Sequence, residues 1–322
     1  MQRVIVKALG GPEHLVLESG AEALQPAAGE VLVDVEAAGV NFLDINLRKG
    51  AGIHAVPAPF TLGLEGVGRI RATGAGVLLT IGQRVAWINA RGSYASQLTM
   101  KADLVVPIPD TLTVSHALLF QAVTAQYLAT EYGTIKPGDR VLVQAAAGGV
   151  GQLLVQWLKH LGAWVVGTTS SEEKAEVARA AGADAVINYG RDYQFLDELM
   201  RLTEGRGVNL AFDSVGAATF TNTVKGLARG GMAVVCGVSS GPAPAISPAE
   251  LTHACTRIAA GSVFSYIVEP GEFQRRAASI VEGVEAGWLH MPEATAYPMA
   301  QAADAHRAIE SRLTHGKLYL VP

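Results

Sequence analysis

A chain of 322 residues, 49% hydrophobic and 17% charged, is long enough for two domains with a core each, and its 36 glycines announce many tight turns. The formal net charge of -4 supplies no basic footprint, which sets nucleic acid aside as a partner. Only two cysteines occur, Cys236 and Cys255, with no close second pair, so a structural zinc site is set aside and both read as reduced core thiols. The opening MQRVIVKALGGPEHL lacks the apolar core of a signal peptide. Leu112 to Thr130 and Val141 to Leu158 are free of charge but interrupted by polar residues or glycines, so the expectation is a cytoplasmic protein with no membrane span.

In chain order, Val4 to Ala8, Leu15 to Glu18 and Val31 to Ala37 read as strands, separated by the breaks Gly10-Gly11-Pro12 and Pro26 to Gly29. Gly63 to Gly76 reads as two glycine-bounded extended segments, followed by strands at Arg84 to Trp87 and Ser93 to Met100. This first part is a β-rich module, closed by Pro107 and Pro109 and followed by a helix over Thr111 to Tyr132.

After the turn Lys136-Pro137-Gly138-Asp139 comes RVLVQAAAGGVGQLLVQWLKHLGA, Arg140 to Ala163. The apolar run Val141 to Val143 leads into small residues, then into apolar residues at helical spacing (Val150, Leu154, Trp157, Leu158, Leu161), with Gly162 as the stop. Ala146, Gly148 and Gly151 take the three small-residue places of a dinucleotide fingerprint: the first turns sharply, the second admits a pyrophosphate, the third packs helix on strand. The anion sits on the N–H groups of Gly149 and Val150, where the helix dipole favours negative charge. Glycines also serve plain β-to-α turns, so the surroundings must decide. They repeat the pattern: strand Ala163 to Thr169, a helix opened by a Ser170/Glu173 capping box and ended by Gly182, and strand Ala185 to Asn188. A second half follows, with helix Phe195 to Leu202, strand Val208 to Asp213, helix Phe220 to Leu227 and strand Met232 to Cys236. Ser239 to Pro248 reads as loop and Gly261 to Tyr266 as a last strand; from Glu269 onward the chain returns to complete the first module.

This order, with the segments GVNFLDINLRKG, GLEGVG, AAAGGVG, FDSVG and the terminal ESRLTHGKLYLVP, resembles the medium-chain dehydrogenase/reductase superfamily over essentially the whole length. More narrowly it is similar to the zinc-independent quinone oxidoreductase family. The resemblance implies an α/β fold in which a Rossmann doubly wound parallel sheet is inserted after a GroES-like β-rich catalytic domain: residues 1–121 catalytic, 122–266 NADPH-binding, 267–322 a return completing the catalytic domain, around a cleft. Zinc-dependent relatives carry a Cys near the start of GVNFLD, a His within GLEGVG and another Cys near the fingerprint. Here those places hold Asn41, Leu64 and no cysteine, and an amide and an alkyl group do not replace thiolate and imidazole on zinc. Glu65 remains alone and reads as structural, paired or hydrogen-bonded. The reaction left is NADPH-dependent hydride transfer to an acceptor that tolerates electron density.

For the cofactor, the second strand ends in neutral Gly167-Thr168-Thr169-Ser170-Ser171, with Thr169 at the place where NAD-binding sheets carry an acid. Lys174 and Tyr189 match the family's 2′-phosphate contacts, against the alternative of a solvated helix lysine. Thr124 and Tyr127 match cofactor-lining residues, although helix packing accounts for them nearly as well. Ser214, Gly237 and Val238 lie at strand ends, Phe264 and Ser265 fall where the family's chain passes the nicotinamide, and Arg312 matches a cofactor-reaching arginine or makes a surface ion pair. Asn41 matches the residue beside nicotinamide and acceptor, its amide donating to the oxygen that gains charge; its alternative is a turn-capping Asn. His54 and His116 read as ordinary residues. Two tyrosines that shape the family's acceptor pocket are replaced by Asn46 and Gly52, which weakens stacking on a quinone. A quinone is the family's acceptor, an α,β-unsaturated carbonyl the alternative, and a non-enzymatic NADPH-binding protein a third reading. The partners expected are a small-molecule acceptor and a second copy of the chain: Gly261 to Tyr266, with Val263 and Phe264, would leave a hydrophobic sheet edge for a homodimer to cover, unless Phe273 to Val284 shields it.

Overall fold

The structure is a computed structural model that describes residues 1–20, 24–51, 55–269, 271–311, 314 and 316–322. The chain divides into two compact units, Met1–Phe120 with Glu293–Pro322, and Gln121–Pro292. The first carries β1 (Gln2–Val6), β2 (Leu15–Ser19), β3 (Glu30–Val40), α1 (Phe42–Arg48), β4 (Phe60–Thr61), β5 (Glu65–Thr73), β6 (Arg84–Trp87), β7 (Gln97–Lys101) and β8 (Val106–Pro107). Then come α2 (Phe120–Glu131), β9 (Arg140–Val143), α3 (Gly149–His160), β10 (Trp164–Thr169), α4 (Glu172–Ala180), β11 (Ala185–Asn188), α5 (Leu196–Leu202) and β12 (Val208–Asp213). They are followed by α6 (Phe220–Lys225), β13 (Leu227–Val235), α7 (Pro248–Thr252), β14 (Arg257–Ala260) and α8 (Glu272–Glu285). Finally β15 (Ala294–Pro298), α9 (Ala302–Glu310) and β16 (Lys317–Val321) rejoin the first unit.

In the first unit β3 is the spine of a seven-stranded sheet, order β15-β16-β3-β5-β6-β8, with β7 also on β3. Its alternation buries Val31, Val33 and Val35 with Ile70, Val85 and Trp87 in one core. A three-stranded sheet, order β2-β1-β4, lies beside it in the same unit. Strand β5 is one continuous element where two glycine-bounded segments were expected. Its glycines are there for close approach rather than for turns: a Cβ on Gly66 would meet the Trp87 ring at 2.3 Å, and one on Gly68 would meet Asp34 O at 2.2 Å.

The second unit is a six-stranded parallel sheet, order β11-β10-β9-β12-β13-β14, and the strand order reverses between β9 and β12. That is the doubly wound arrangement, with its ligand crevice at the carboxyl ends of β9 and β12. Several boundaries differ from expectation. The helix expected from Thr111 begins at Phe120, α4 is capped by Ser171 instead of Ser170, and α6 stops at Lys225 because Leu227 already belongs to β13. Gly261 to Tyr266 is not a strand: Val263–Tyr266 is a 3-10 turn, and β14, at Arg257–Ala260, is the edge. Tyr266 stacks on Tyr127 of α2 with ring centroids 4.7 Å apart, which draws the segment over the helix instead of along the sheet. Residues 267–292, expected in the return, belong to the second unit; the return begins at Glu293. Cys255, expected in a core, is exposed.

The fingerprint packs as tightly as its residues suggest, with one shift. The left-handed residue is Ala145, at φ 54°, not Ala146, which is fully buried. A Cβ on Gly151 would lie 2.4 Å from Ala145 O and 2.8 Å from Ala146 Cα, backbone atoms that cannot rotate away. Gly151→Ala should therefore destabilise the protein by about 2 kcal/mol, the usual cost of overpacking. Scanning calorimetry giving an unchanged Tm for this variant would show that the approach of α3 to its strand is not limiting.

Candidate active site

Strand β3 ends at Val40, and α1 starts one residue later with Asn41 at its N-cap position. The main-chain N–H of Asn41 donates to Asp44 Oδ2 at 2.8 Å as part of a capping box, and its side chain has further partners. Nδ2 donates to Glu65 Oε2 at 2.9 Å, and Oδ1 accepts from Lys317 Nζ at 2.9 Å. Lys317 also donates to Glu65 Oε2 in an ion pair, and Glu65 Oε1 accepts from the Phe120 N–H at 2.7 Å. Glu65 thus caps the first turn of α2, where negative charge is favoured. Asn41, Glu65 and Lys317 are 5%, 0% and 3% exposed. Gly39 makes the approach possible, since a Cβ there would stand 2.0 Å from Glu65 Oε2 and 2.9 Å from Lys317 Nζ. The structural reading of Glu65 holds, and so does the turn-capping alternative for Asn41: the residue is the N-cap of α1 in a capping box with Asp44, and its amide also joins the buried pair.

Behind this triad runs a second buried chain of polar groups. Arg48 donates to Glu310 at 2.8 Å, and its Nη1 lies 3.1 Å from His306 Nδ1; His306 Nε2 lies 3.1 Å from the Tyr94 hydroxyl. A guanidinium only donates, so Nδ1 accepts, the imidazole proton is on Nε2, and Nε2 donates to Tyr94. Burial, then the Arg48 charge, pushes the His306 pKa down to about 3, so the ring is neutral. Burial raises Asp44 to about 7, against the pull of the Asn41 N–H and the Lys317 charge. Asp44 Oδ1 is buried with no partner at hydrogen-bonding distance, although the nearby Tyr94 hydroxyl favours the carboxylate.

In the second unit, α3 begins at Gly149 with Gly148 as N-cap and no side chain capping it, which leaves its first N–H groups to a ligand. A Cβ on Gly149 would collide with the Gln121 amide at 2.2 Å. The floor is a network that motif reading missed. Gln144 accepts from Thr168 Oγ1 and donates to Thr223 Oγ1 at 3.1 Å; Thr223 and Thr219 donate to the buried Asp213, which also accepts from the N–H groups of Val215 and Gly216 at 2.9 Å. The one signal for it was Asp213 within FDSVG. Ser214 donates to Gln144 O at 3.4 Å, a Cβ on Gly237 would meet Ser214 O at 2.6 Å, and Val238 is exposed beside it.

At the end of β10, Thr169 O accepts from the Tyr189 N–H at 3.0 Å, and Ser171 Oγ accepts from the Lys174 N–H at 3.3 Å. Thr169, Ser170, Lys174 and Tyr189 are therefore brought to one corner. Thr169 itself is buried, with its hydroxyl donated to Ser171 O, while Ser170 is exposed. Glu172, in the first turn of α4, is engaged by Arg179 at 2.8 Å. Thr124 and Tyr127 lie on the buried side of α2; Tyr127 donates to Gly261 O at 3.3 Å and packs on Tyr266. Phe264 and Ser265 lie in the 3-10 turn, Asn46 is half-buried on α1, and burial lowers the His116 pKa. Gly52, His54 and Arg312 lie outside the described residues.

Residues 27–110 match the alcohol dehydrogenase GroES-like domain, and residues 149–282 the zinc-binding dehydrogenase domain. The chain is 33% identical to a 2-haloacrylate reductase of Burkholderia sp, over 99% of this chain and 98% of that one. It is likewise 33% identical to quinone oxidoreductase 1 of Escherichia coli K12, over 97% of both. A mycobacterial protein solved with NADPH superposes with TM-score 0.94 at 37% identity, covering 100% of both chains. The chain belongs to the medium-chain dehydrogenase/reductase superfamily, in its zinc-independent quinone oxidoreductase group.

Zinc does not fit the residues this family member carries. Leu64 offers no donor, and Lys317 Nζ already holds both Asn41 Oδ1 and Glu65 Oε2. Among the described residues no cluster of three or more His, Cys, Asp or Glu is placed to hold a metal ion, and no helix is long and apolar enough to cross a membrane.

The two buried titrating groups act on stability with opposite signs. Asp44, raised from 3.8 to about 7, contributes stability that is present in acid and lost as pH rises through 7. His306, lowered from 6.5 to about 3, contributes stability that is present above 6.5 and lost as pH falls through 3. Between these limits they oppose each other. Asp44→Asn should unmask the His306 slope, up to about 1.4 kcal/mol per pH unit, so that the variant weakens on acidification more steeply than wild type. Thermal melts from pH 7 to pH 4 with parallel profiles for the two proteins would count against a titrating Asp44.

Proposed function

We propose that the protein is an NADPH-dependent, zinc-independent quinone oxidoreductase. The observation that carries this reading is the Asn41 amide, clamped by Lys317 and Glu65 where zinc relatives place a metal ligand. It is a hydrogen-bond donor held in one orientation by these two partners. Bound at the second unit, the nicotinamide cofactor supplies a hydride. The uncapped start of α3 would hold its pyrophosphate, and Thr169, Ser170, Lys174 and Tyr189 at the end of β10 would hold the 2′-phosphate. The Asn41 amide donates to the acceptor oxygen as that oxygen gains charge, and water supplies the proton. Support for NADPH comes from the neutral Thr169 and Ser170 with Lys174 and Tyr189 alongside, and from the NADPH bound to the mycobacterial relative. Thr124, Gly237, Val238, Phe264, Ser265 and Arg312 are assigned to the same cofactor site.

A second reading, reduction of an activated alkene, has its own support. Asn46 stands in place of an aromatic wall, and the Burkholderia relative is named for an acrylate substrate. An NADPH-oxidation panel of naphthoquinones, ortho-quinones, enones and enoyl thioesters tests both. Turnover of enones alone would replace the first reading by the second, and tight NADPH binding without turnover would leave a binding protein. Lys174→Ala should weaken NADPH by about ten- to a hundredfold, the loss of a charge-assisted contact worth about 1.5 to 3 kcal/mol, and leave NADH unchanged. Equal weakening of both in a fluorescence titration would make Lys174 structural.

The protein is also proposed to be a cytoplasmic homodimer. Both described cysteines are free thiols, in keeping with a reducing compartment. Among the described residues β14 pairs with β13 alone and presents Arg257, Ile258 and Ala260 to solvent, which supports coverage by a second copy's β14 across a two-fold axis. Sedimentation should give twice the chain mass of 33.6 kDa, and Ile258→Asp should give monomers. A wild-type monomer at micromolar concentration would rule the dimer out.

A further inference from the structure

The Lys317 ammonium is a buried cation that the fingerprint, the 2′-phosphate corner and the family motifs leave without a role. It enters from β16, the last strand, and meets the ends of β3 and β5 through two contacts, Asn41 Oδ1 at 2.9 Å and the ion pair with Glu65 Oε2. These contacts do more than hold three strands together. The Asn41 amide has two ends of opposite sense, and the site reads both: a cation faces its oxygen and a carboxylate faces its nitrogen. Rotating the amide by half a turn would set N–H groups against the ammonium and a carbonyl against the carboxylate, so one orientation is over-determined. Of the two hydrogens on Nδ2, Glu65 takes one. The other is fixed in direction, and the cation on Oδ1 draws electron density from the amide and strengthens it as a donor.

We propose that Lys317 is a positioning residue for hydride acceptance, acting through Asn41: its ammonium occupies the donors a metal would have used and aims and polarises the amide N–H that meets the acceptor oxygen. This rests on the proposed acceptor role of Asn41. Lys317→Met alone would strand the buried Glu65 charge and risk misfolding, so the informative variant is the charge-neutral pair Lys317→Met with Glu65→Gln. Three measurements on the full chain test it. In the cofactor-free protein, NMR should show an exchange-protected Asn41 side-chain amide in wild type and lose that protection in the pair variant. With NADPH and 1,4-naphthoquinone or an enone, the pair variant should lose at least tenfold in kcat while its melting temperature stays near wild type and its NADPH affinity within twofold. Adding Asn41→Ala to the pair should lower kcat no further than Asn41→Ala alone, because one interaction is being removed twice.

A pair variant with kcat within twofold of wild type overturns the inference, as do losses that multiply in the triple variant. If wild type itself oxidises NADPH with neither acceptor class, the functional reading fails and this inference with it. Wild-type turnover with an indifferent pair variant overturns the inference alone.

Discussion

Two charges removed from water into one spot are a liability unless every remaining lone pair and proton is matched, because the desolvation penalty of a buried ion pair rivals its attraction. The Lys317 and Glu65 pair meets that condition. One carboxylate oxygen takes the Phe120 N–H, the other takes Lys317 and the Asn41 amide, and the ammonium has the amide oxygen as well. The pair ties the terminal strand to the ends of β3 and β5 and caps α2, so the first unit closes through it. A glycine at position 39 is the local condition, since any side chain there would displace the carboxylate. Loss of one partner leaves a stranded charge, which typically costs about 3 to 5 kcal/mol.

The same reasoning explains why the surrounding polar groups are arranged as a relay instead of as independent pairs. The guanidinium of Arg48 dictates the tautomer of His306, the tautomer dictates which way the Tyr94 hydroxyl can donate, and Tyr94 then biases Asp44, which holds the main chain of Asn41. Burial opposes charge on both titrating members, which is why His306 is neutral and Asp44 only marginally ionised near pH 7. Asn41 is thereby gripped twice, at its backbone by one network and at its amide by the other. A donor held this way pays no reorganisation when charge develops on an acceptor, which is how electrostatic preorganisation lowers a barrier.

The second unit answers a different demand. Its strand ends carry main-chain N–H groups and small residues, and beneath them Asp213 gathers two backbone N–H groups and two threonine hydroxyls and Gln144 links them to β10. The carboxyl ends of β9, β10 and β12 are held in one register by that network. Ala145 can then sit at φ 54° without a glycine, because the neighbouring strands over-determine its conformation.

What was legible in the sequence follows from short-range physics. Apolar periodicity and glycine punctuation located β9, β11, β12 and α3 to within a residue or two. Close approach was not legible: Gly66 and Gly68 look like strand ends until Trp87 and the Asp34 carbonyl are seen pressing on them. Nor was the path of Gly261 to Tyr266, whose composition suits a strand but whose Tyr266 finds a better surface on Tyr127. The partners of Glu65 and Asn41 lay beyond any local signal, because Lys317 is separated from them by 252 and 276 residues. By itself the sequence determined the alternating α/β pattern and the dinucleotide turn, both of which depend on neighbours along the chain. Only the tertiary structure decided which buried charge faces which, since electrostatic pairing depends on distance in space and is indifferent to distance in sequence.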